Sequence, residues 1–290
     1  MQQHLHPIPS AVIDEAVMAA LDEDGAYNDM TTLAVLNGDE WGTGIIVAKD
    51  RGVIAGLAVA AAAMTAIDDS VTFDEIAYDG ALVQPGTTIA EVEGRIASLL
   101  ATERVALNFL QRMSGIATLT RDFVDAVRGT NARITDTRKT TPGLRQFERY
   151  AVRAGGGANH RFNLAAGVLI KDNHIAVARQ RGAANLAEIV RGARASAPHT
   201  ARIEIEVTNL DEVDEALEGG ADIILLDNMD PETVRRAVER IAGRAIIEAS
   251  GGITLENVAA FAEAGVDYIS VGRLTHSAPA LDISLEMKAI

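Results

Sequence analysis

IEIEVTNLDEVDEALEGGADIILLDNMDPETVRRAVERIAGRAIIEASGGITLENVAAFAEAGVDYISVG, residues 203–272, is the stretch whose reading decides the fold. Short apolar or alternating segments at 203–207, 223–226, 246–249 and 268–271 are each followed by loop residues and, where the chain continues, by an amphipathic helical pattern. The residues that end them, Glu206, Asp227, Ser250 and Gly272, are separated by 21, 23 and 22 positions. One strand, one helix and two short loops fill that interval, so the beat predicts parallel βα units. Start and stop signals agree. Asp230 before Pro231, and Thr254 before Leu255, read as helix N-caps, while Gly219-Gly220 and Gly265 fall at expected helix ends.

Working outward, 133–136 and 168–171 look like earlier members of the series, which places an α/β barrel over residues 112–273. Residues 1–111 lack the beat and predict an N-terminal α+β domain, with a helix over 14–22 and strands over 45–59 and 71–92. A helix beginning near Thr102 and interrupted or kinked at Ser114-Gly115 joins the two. The tail, 274–290, no longer follows the barrel beat and is expected to pack back on the first domain.

Between Asp136 and His174 an acidic chain changes sign. Residues 138–174 hold seven lysines and arginines against Glu148 and Asp172, inside a protein of formal net charge −15. Concentrated cations in an acidic molecule suit a pocket for a small polyanion, whereas nucleic-acid binding would want a basic surface overall. Cysteine is absent, so disulfides and thiolate metal sites are excluded, and any metal must be held by oxygen or imidazole. The first residues show no basic stretch leading into an apolar one, and the longest apolar run, 53–67, is too short for a bilayer. A soluble, cytoplasmic protein is expected.

Thr137-Arg138-Lys139-Thr140-Thr141-Pro142-Gly143 follows a predicted strand, with Thr141 as the expected N-cap of a new helix. Cations beside free backbone N–H groups bind phosphates and carboxylates. On that helix Leu144, Phe147 and Ala151 form an apolar stripe, and Arg145, Arg149 and Arg153 a solvated or interface face. Gly155-Gly156-Gly157 leads to His160-Arg161, a pair able to recognise a carboxylate. Lys171 ends a strand and reads as a Schiff-base nucleophile, as a charge clamp on a leaving group, or as one member of a buried ion pair with Asp172 or a neighbouring acid. Glu204 and Glu206 share one strand face, where carboxylates inside a barrel demand a metal or a cationic partner. A structural Glu–Lys or Glu–Arg pair is the expectation for Glu204, and a divalent ion or sugar hydroxyls for Glu206 with Asp227. Ser250-Gly251-Gly252 before a helix, and Gly272 after the last strand, read as a phosphate site.

With these motifs assembled, the chain resembles the quinolinate phosphoribosyltransferase family, the decarboxylating enzymes of NAD synthesis. The likeness runs through most of the chain and is densest at 137–143, 155–161, 169–174, 204–207, 225–228 and 250–253. Asp29-Met30-Thr31-Thr32 matches part of an N-terminal Gly-Asp-x-Thr-Thr pattern. The resemblance implies a type II phosphoribosyltransferase barrel, related to the TIM barrel, that converts quinolinate and 5-phosphoribosyl-1-pyrophosphate with Mg²⁺ to nicotinate mononucleotide, pyrophosphate and CO₂. By position it assigns Arg138, His160 and Arg161 to the quinolinate carboxylates, with Arg104 joining from the neighbouring subunit of a homodimer, itself able to form part of a higher oligomer. It sets Lys139 and Lys171 against pyrophosphate and ring substrate, and Glu206 and Asp227 against ribose hydroxyls and Mg²⁺. Ser250, Gly251, Gly252 and Gly272 would hold the 5-phosphate. No nucleic acid and no membrane is implied. Rivals are a paralogous phosphoribosyltransferase for another ring acid, a Schiff-base lyase using Lys171, and a phosphate-ligand sensor.

Overall fold

The computed structural model describes residues 5–289, with side chains described as far as Met287. The chain parts into two compact units: Met1–Arg121 with Thr140–Gly156 and Leu274–Ile290, and Asp122–Lys139 with Gly157–Arg273. This division differs from the boundary drawn at residue 111 chiefly in assigning 140–156 to the first unit.

The first unit begins with helix α1 (Ser10–Asp24), whose Ile13, Val17 and Leu21 recur every four residues and are buried, and which Gly25 closes in the left-handed region. A short α2 (Met30–Val35) is capped by Asp29, whose side chain accepts the Thr31 and Thr32 N–H groups. Strand β1 (Trp41–Ala48) is followed by β2 (Gly52–Val53), α3 (Leu57–Thr65), β3 (Thr72–Glu75), β4 (Leu82–Val83) and β5 (Thr88–Arg95). Strand β12 (Ile283–Ala289), from the far end of the chain, pairs antiparallel with β1, giving a sheet ordered β12-β1-β5-β3.

The strand expected over 45–59 is broken after Ala48, resumes only as the two-residue β2, and gives way to helix at Leu57. The reason lies elsewhere in the chain: Oδ1 of Asp79 accepts the N–H groups of Gly56 (3.0 Å) and Leu57 (3.2 Å), capping the alanine-rich α3. Helix α4 (Ile96–Ala126) also departs from expectation, for it starts before Thr102 and runs through Ser114-Gly115 without interruption. Gly115 is there for clearance. A Cβ at that position would stand 1.9 Å from the Pro279 carbonyl oxygen. Helix α5 (Arg145–Ala154) completes the unit, with Phe147 buried and its ring 5.5 Å from that of Phe109.

The second unit is the barrel. Its strands are β6 (Arg133–Thr135), β7 (Val168–Ile170), β8 (Ile203–Val207), β9 (Ile223–Asp227), β10 (Ile246–Ser250) and β11 (Tyr268–Ser270). All neighbours are parallel, in the order β6-β11-β10-β9-β8-β7. That order is the chain order written round a ring, as in a barrel parted between its first and second strands. Along that parting the segment after α5 lies beside β6, through a parallel bridge between Thr135 and Ala158. Helices α6 (Asp172–Gln180), α7 (Leu186–Ser196), α8 (Leu210–Gly219), α9 (Pro231–Ile241) and α10 (Val258–Glu263) follow their strands in turn, and α11 (Arg273–His276) follows β11.

Alternation along the barrel strands separates two environments. Ile203, Ile205, Val207, Ile224, Ala249 and Ile269 are inaccessible to solvent, whereas the intervening residues line cavities and are largely polar. Asp230 caps α9 with Pro231 in its first turn, and Gly220 closes α8 in the left-handed region, as the sequence predicts. The Thr254 cap is displaced: a turn over 254–257 precedes α10, whose cap is Asn257. Among the described residues no helix is long and apolar enough to cross a membrane.

Gly115→Ala is expected to cost about 3 kcal/mol, because backbone rather than a movable side chain occupies the space. Urea unfolding of the variant measures this, and a change below 1 kcal/mol would contradict the close approach.

Candidate active site

The carboxyl ends of the barrel strands surround a cavity of about 820 Å³. Its walls include Arg138, Lys139, His160, Arg161, Lys171, Glu206, Asp227, Glu248, Ser250, Gly251, Gly252 and Ser270. Ten of the twelve residues singled out for catalysis, substrate or metal line it: Arg138, Lys139, His160, Arg161, Lys171, Glu206, Asp227, Ser250, Gly251 and Gly252. Gly272 is not among the lining residues, although Ser270 two positions before it is. Arg104 belongs to α4 in the first unit and does not line this cavity.

Arg138 and Lys139 follow β6, where the Lys139 N–H donates to Thr137 Oγ1 (3.1 Å). The helix expected to start at Thr141 starts instead at Arg145. The buried Glu148 explains the delay. Its carboxylate takes the Thr141 N–H (3.1 Å) and hydroxyl (2.8 Å) and also meets Arg112 Nη2 at 2.7 Å, holding 140–144 as a turn. Lys139 is therefore not beside a helix N-terminus, and an anion there would rely on side-chain charge. Arg149, expected on a solvated or interface face, is buried within the chain.

His160 and Arg161 are placed by Asp136, which is wholly buried at the end of β6. Asp136 accepts the Asn159 side-chain amide (2.6 Å) and the His160 N–H (2.8 Å), while the Ala158 N–H donates to the Ile134 carbonyl (2.7 Å). The glycine run serves as the approach to this short pairing. The Arg161 N–H in turn donates to His160 Nδ1 (2.7 Å), and Arg161 Nη1 donates to the Gly167 carbonyl (2.8 Å). Burial and the neighbouring Arg138 lower the Arg161 pKa from its ordinary value, as expected where guanidinium groups share a pocket.

Lys171, just after β7, pairs with Glu206 on the neighbouring strand β8, through Nζ and Oε1. An ion pair with a neighbouring acid is the expectation for Lys171, but the pair is not the buried one expected, since the lysine side chain is 45% exposed. Asp227, at the end of the adjacent strand β9, accepts the Asn228 side-chain amide (2.8 Å). Asn228 itself has φ 55, and its N–H donates to the Ser250 carbonyl (2.9 Å). Gly251 packs against it so closely that a Cβ would lie 2.2 Å from Asn228 Oδ1, and its own φ is 88. Only glycine serves there.

Glu204 was expected to meet a lysine or arginine. It meets histidine: His160 Nε2 lies 3.4 Å from Glu204 and 3.6 Å from Glu248. Both acids are buried, and Glu248 Oε1 has no hydrogen-bond partner. Burial, then the charge of Glu204, pushes Glu248 up to about 7. Burial opposes the His160 imidazolium, but the hydrogen bond to Glu204 and the charges of Glu248, Glu204 and Asp136 outweigh it and raise the histidine pKa. In both directions the cluster holds a proton. Glu248 was not singled out from the sequence, although an acid inside the apolar strand IIEAS was the available signal.

A parallel barrel that gathers cations, acids and glycine backbone at the carboxyl ends of its strands defines an enzyme acting on small, phosphorylated anions. Comparison with known proteins gives the particular kind. Residues 116–286 match the quinolinate phosphoribosyl transferase C-terminal domain, and residues 29–114 the N-terminal domain of that family. A Bacillus subtilis protein named a probable nicotinate-nucleotide pyrophosphorylase (carboxylating) is 44% identical over 265 residues, covering 91% of this chain and 90% of its own. The nicotinate-nucleotide pyrophosphorylase (carboxylating) of Mycobacterium leprae is 43% identical over 282 residues, covering 94% and 96%. The crystal structure of NadC from Streptococcus pyogenes superposes with a TM-score of 0.93 at 42% identity, over 98% of this chain and 99% of that one. The chain belongs to the quinolinate phosphoribosyl transferase family, and its fold is the family's barrel with an N-terminal domain.

The folded protein binds the Glu248 proton more tightly than the unfolded chain does. That contribution is complete below about 4.5 and is lost as pH rises through about 7. Glu248→Gln removes the ionisation, so its stability relative to wild type should improve between pH 5 and pH 8 by on the order of 3 kcal/mol. Thermal unfolding of both proteins across that range checks the sign, and a pH-independent difference would contradict it.

Proposed function

We propose that the protein transfers the phosphoribosyl group of 5-phosphoribosyl-1-pyrophosphate to the ring nitrogen of quinolinate and releases the carboxylate on carbon 2, giving nicotinate mononucleotide, pyrophosphate and CO₂ in NAD synthesis. The observation that carries this is the convergence of Arg138, Lys139, His160, Arg161 and Lys171 with Glu206 and Asp227 on one cavity. A dicarboxylate and a polyphosphate bound together need several cations, and the anomeric carbon needs acids beside it.

In this reading Arg138 and Arg161 hold the quinolinate carboxylates, and His160 supports them. Arg104 joins from a neighbouring subunit of a homodimer, or of a larger assembly built from it. Ser250 and the backbone of Gly251 and Gly252 hold the 5-phosphate, with Gly272 completing that loop pair. Lys139 and Lys171 face the departing pyrophosphate, so Lys171 exchanges its bond to Glu206 for substrate. Glu206 and Asp227 end adjacent strands, line the same cavity and offer only carboxylate oxygens. Such donors fit Mg²⁺, which takes one or two carboxylates and completes its shell with water and substrate oxygens. When bound, the ion would neutralise charge on the pyrophosphate. The residues themselves bind both substrates face to face, exclude water and stabilise the positive charge that develops at the anomeric carbon. Once ribosylated, the ring is a pyridinium that can accept the electron pair left behind by CO₂. Both substrates are multiply charged anions that do not cross bilayers unaided, which supports a cytoplasmic location.

Formation of CO₂ and nicotinate mononucleotide from quinolinate, 5-phosphoribosyl-1-pyrophosphate and Mg²⁺ is the direct test. Turnover of a different ring acid with no turnover of quinolinate would favour a paralogous transferase. Arg138→Ala and Arg161→Ala should each weaken quinolinate binding by about 2 to 5 kcal/mol in calorimetric titration, since each leaves a desolvated carboxylate unmatched. Glu206→Gln and Asp227→Asn should lower turnover more than quinolinate affinity, and parallel losses in both would speak against their place beside the ribose.

A further inference from the structure

Loss of CO₂ leaves an electron pair on ring carbon 2, and a carbon–hydrogen bond must form there before product exists. The reaction therefore consumes one proton, and none of the groups assigned above supplies it. Guanidinium groups hold their protons too firmly to be donors. Both lysines are assigned to the departing pyrophosphate, for which Lys171 leaves Glu206.

The barrel contains an acid with no role so far. Glu248 lines the mouth cavity, its side chain is only 6% exposed, and its Oε1 has no hydrogen-bond partner. Charged and polar neighbours reach it from three elements: His160 on the segment after α5, Glu204 and Glu206 on β8, and Ser270 on β11. On the fourth side Leu225 stands in register between Glu206 and Glu248. The His160 ring is oriented by the Arg161 N–H on its Nδ1, which leaves the Nε2 hydrogen pointing toward the two buried acids. Two carboxylates facing one imidazole in a dry interior keep a proton among them.

A second cavity, of about 420 Å³, opens among residues at the amino ends of the strands, such as Val168, Ile223, Ile246 and Tyr268. It shares His160, Arg161 and Glu248 with the mouth cavity, so Glu248 forms part of the floor between the two. An acid in that position can be reprotonated from behind while substrates fill the mouth.

Resting on the quinolinate reading above, we propose that Glu248 in its neutral carboxylic form delivers the proton to carbon 2 as CO₂ departs. The bond from carbon 2 to the carboxylate breaks and its electron pair stays on the ring. The Glu248 O–H bond breaks, its proton joins carbon 2, and its electrons remain on the carboxylate. Bulk water then restores the proton through the second cavity. Neutrality also suits binding, because an ionised Glu248 would repel a dianionic substrate, whereas the carboxylate formed later faces a pyridinium. Its pKa near 7 keeps a usable fraction protonated at neutral pH.

The test is the hydrogen-to-deuterium ratio at carbon 2 of nicotinate mononucleotide made in an equal mixture of H₂O and D₂O, read by mass spectrometry. This ratio reports the donor even when another step limits the rate. Glu248→Gln should change the ratio and lower turnover at pH 7 by about 100-fold. In wild type the ratio should shift between pH 6 and pH 9 as Glu248 ionises and water becomes the donor, a measurement that requires no variant. An unchanged ratio in Glu248→Gln, or a wild-type ratio that is flat with pH, overturns the assignment while leaving the quinolinate reaction in place. A wild-type protein that forms no nicotinate mononucleotide removes the reaction and this inference together.

Discussion

Two carboxylates shut away from water inside a parallel barrel need a proton or a cation, and meeting that need organises the centre of this protein. Glu204 and Glu248 are buried, and the group that answers them is His160. An unmatched pair of charges in such a place would destabilise the barrel by several kcal/mol. The imidazole must therefore be held in place, and it is held from behind by Asp136, a third buried acid that takes the His160 N–H and the Asn159 amide. Burial, hydrogen bonding and charge are thus balanced within a few residues drawn from four elements.

That centre also explains how the barrel is parted. Strands β6 and β7 are not hydrogen-bonded to each other, and residues 157–160 lie beside β6 along that parting. The bridge from Thr135 to Ala158 is too short to count as a strand, yet it sets His160 and Arg161 facing inward. Helix α5, which precedes this segment, belongs to the other unit of the chain. Its start is delayed by Glu148, whose carboxylate satisfies Thr141 and Arg112 before the helix begins. Local rules for capping gave way to a buried carboxylate that had to be matched.

At the mouth the same economy of charge is visible in a more open setting. Lys171 and Glu206 pair with each other, and the Lys171 side chain is 45% exposed. Such a pair is held loosely, because water screens it, and it can be exchanged for other charged partners at little cost. The floor is a closed arrangement of buried groups, while the walls carry charged side chains that line the cavity. A barrel provides both because alternate residues of each strand point inward at successive depths.

Much of this was legible in the sequence. The interval between Glu206, Asp227, Ser250 and Gly272 follows from the length of a strand, a helix and two loops, so the barrel and the strand ends that form its mouth could be read directly. Four of the seven cations in the charge reversal over 138–174, Arg138, Lys139, Arg161 and Lys171, line the cavity, because function concentrates charge that folding alone would scatter. What the sequence could not supply were partners distant along the chain. Asp79 turns part of an expected strand into α3, Pro279 dictates Gly115 within an unbroken helix, and His160 rather than a lysine or arginine answers Glu204. Periodicity is a property of neighbours in sequence, and it determined the barrel and its mouth. The matching of buried charges is a property of neighbours in space, and only the tertiary structure decided it.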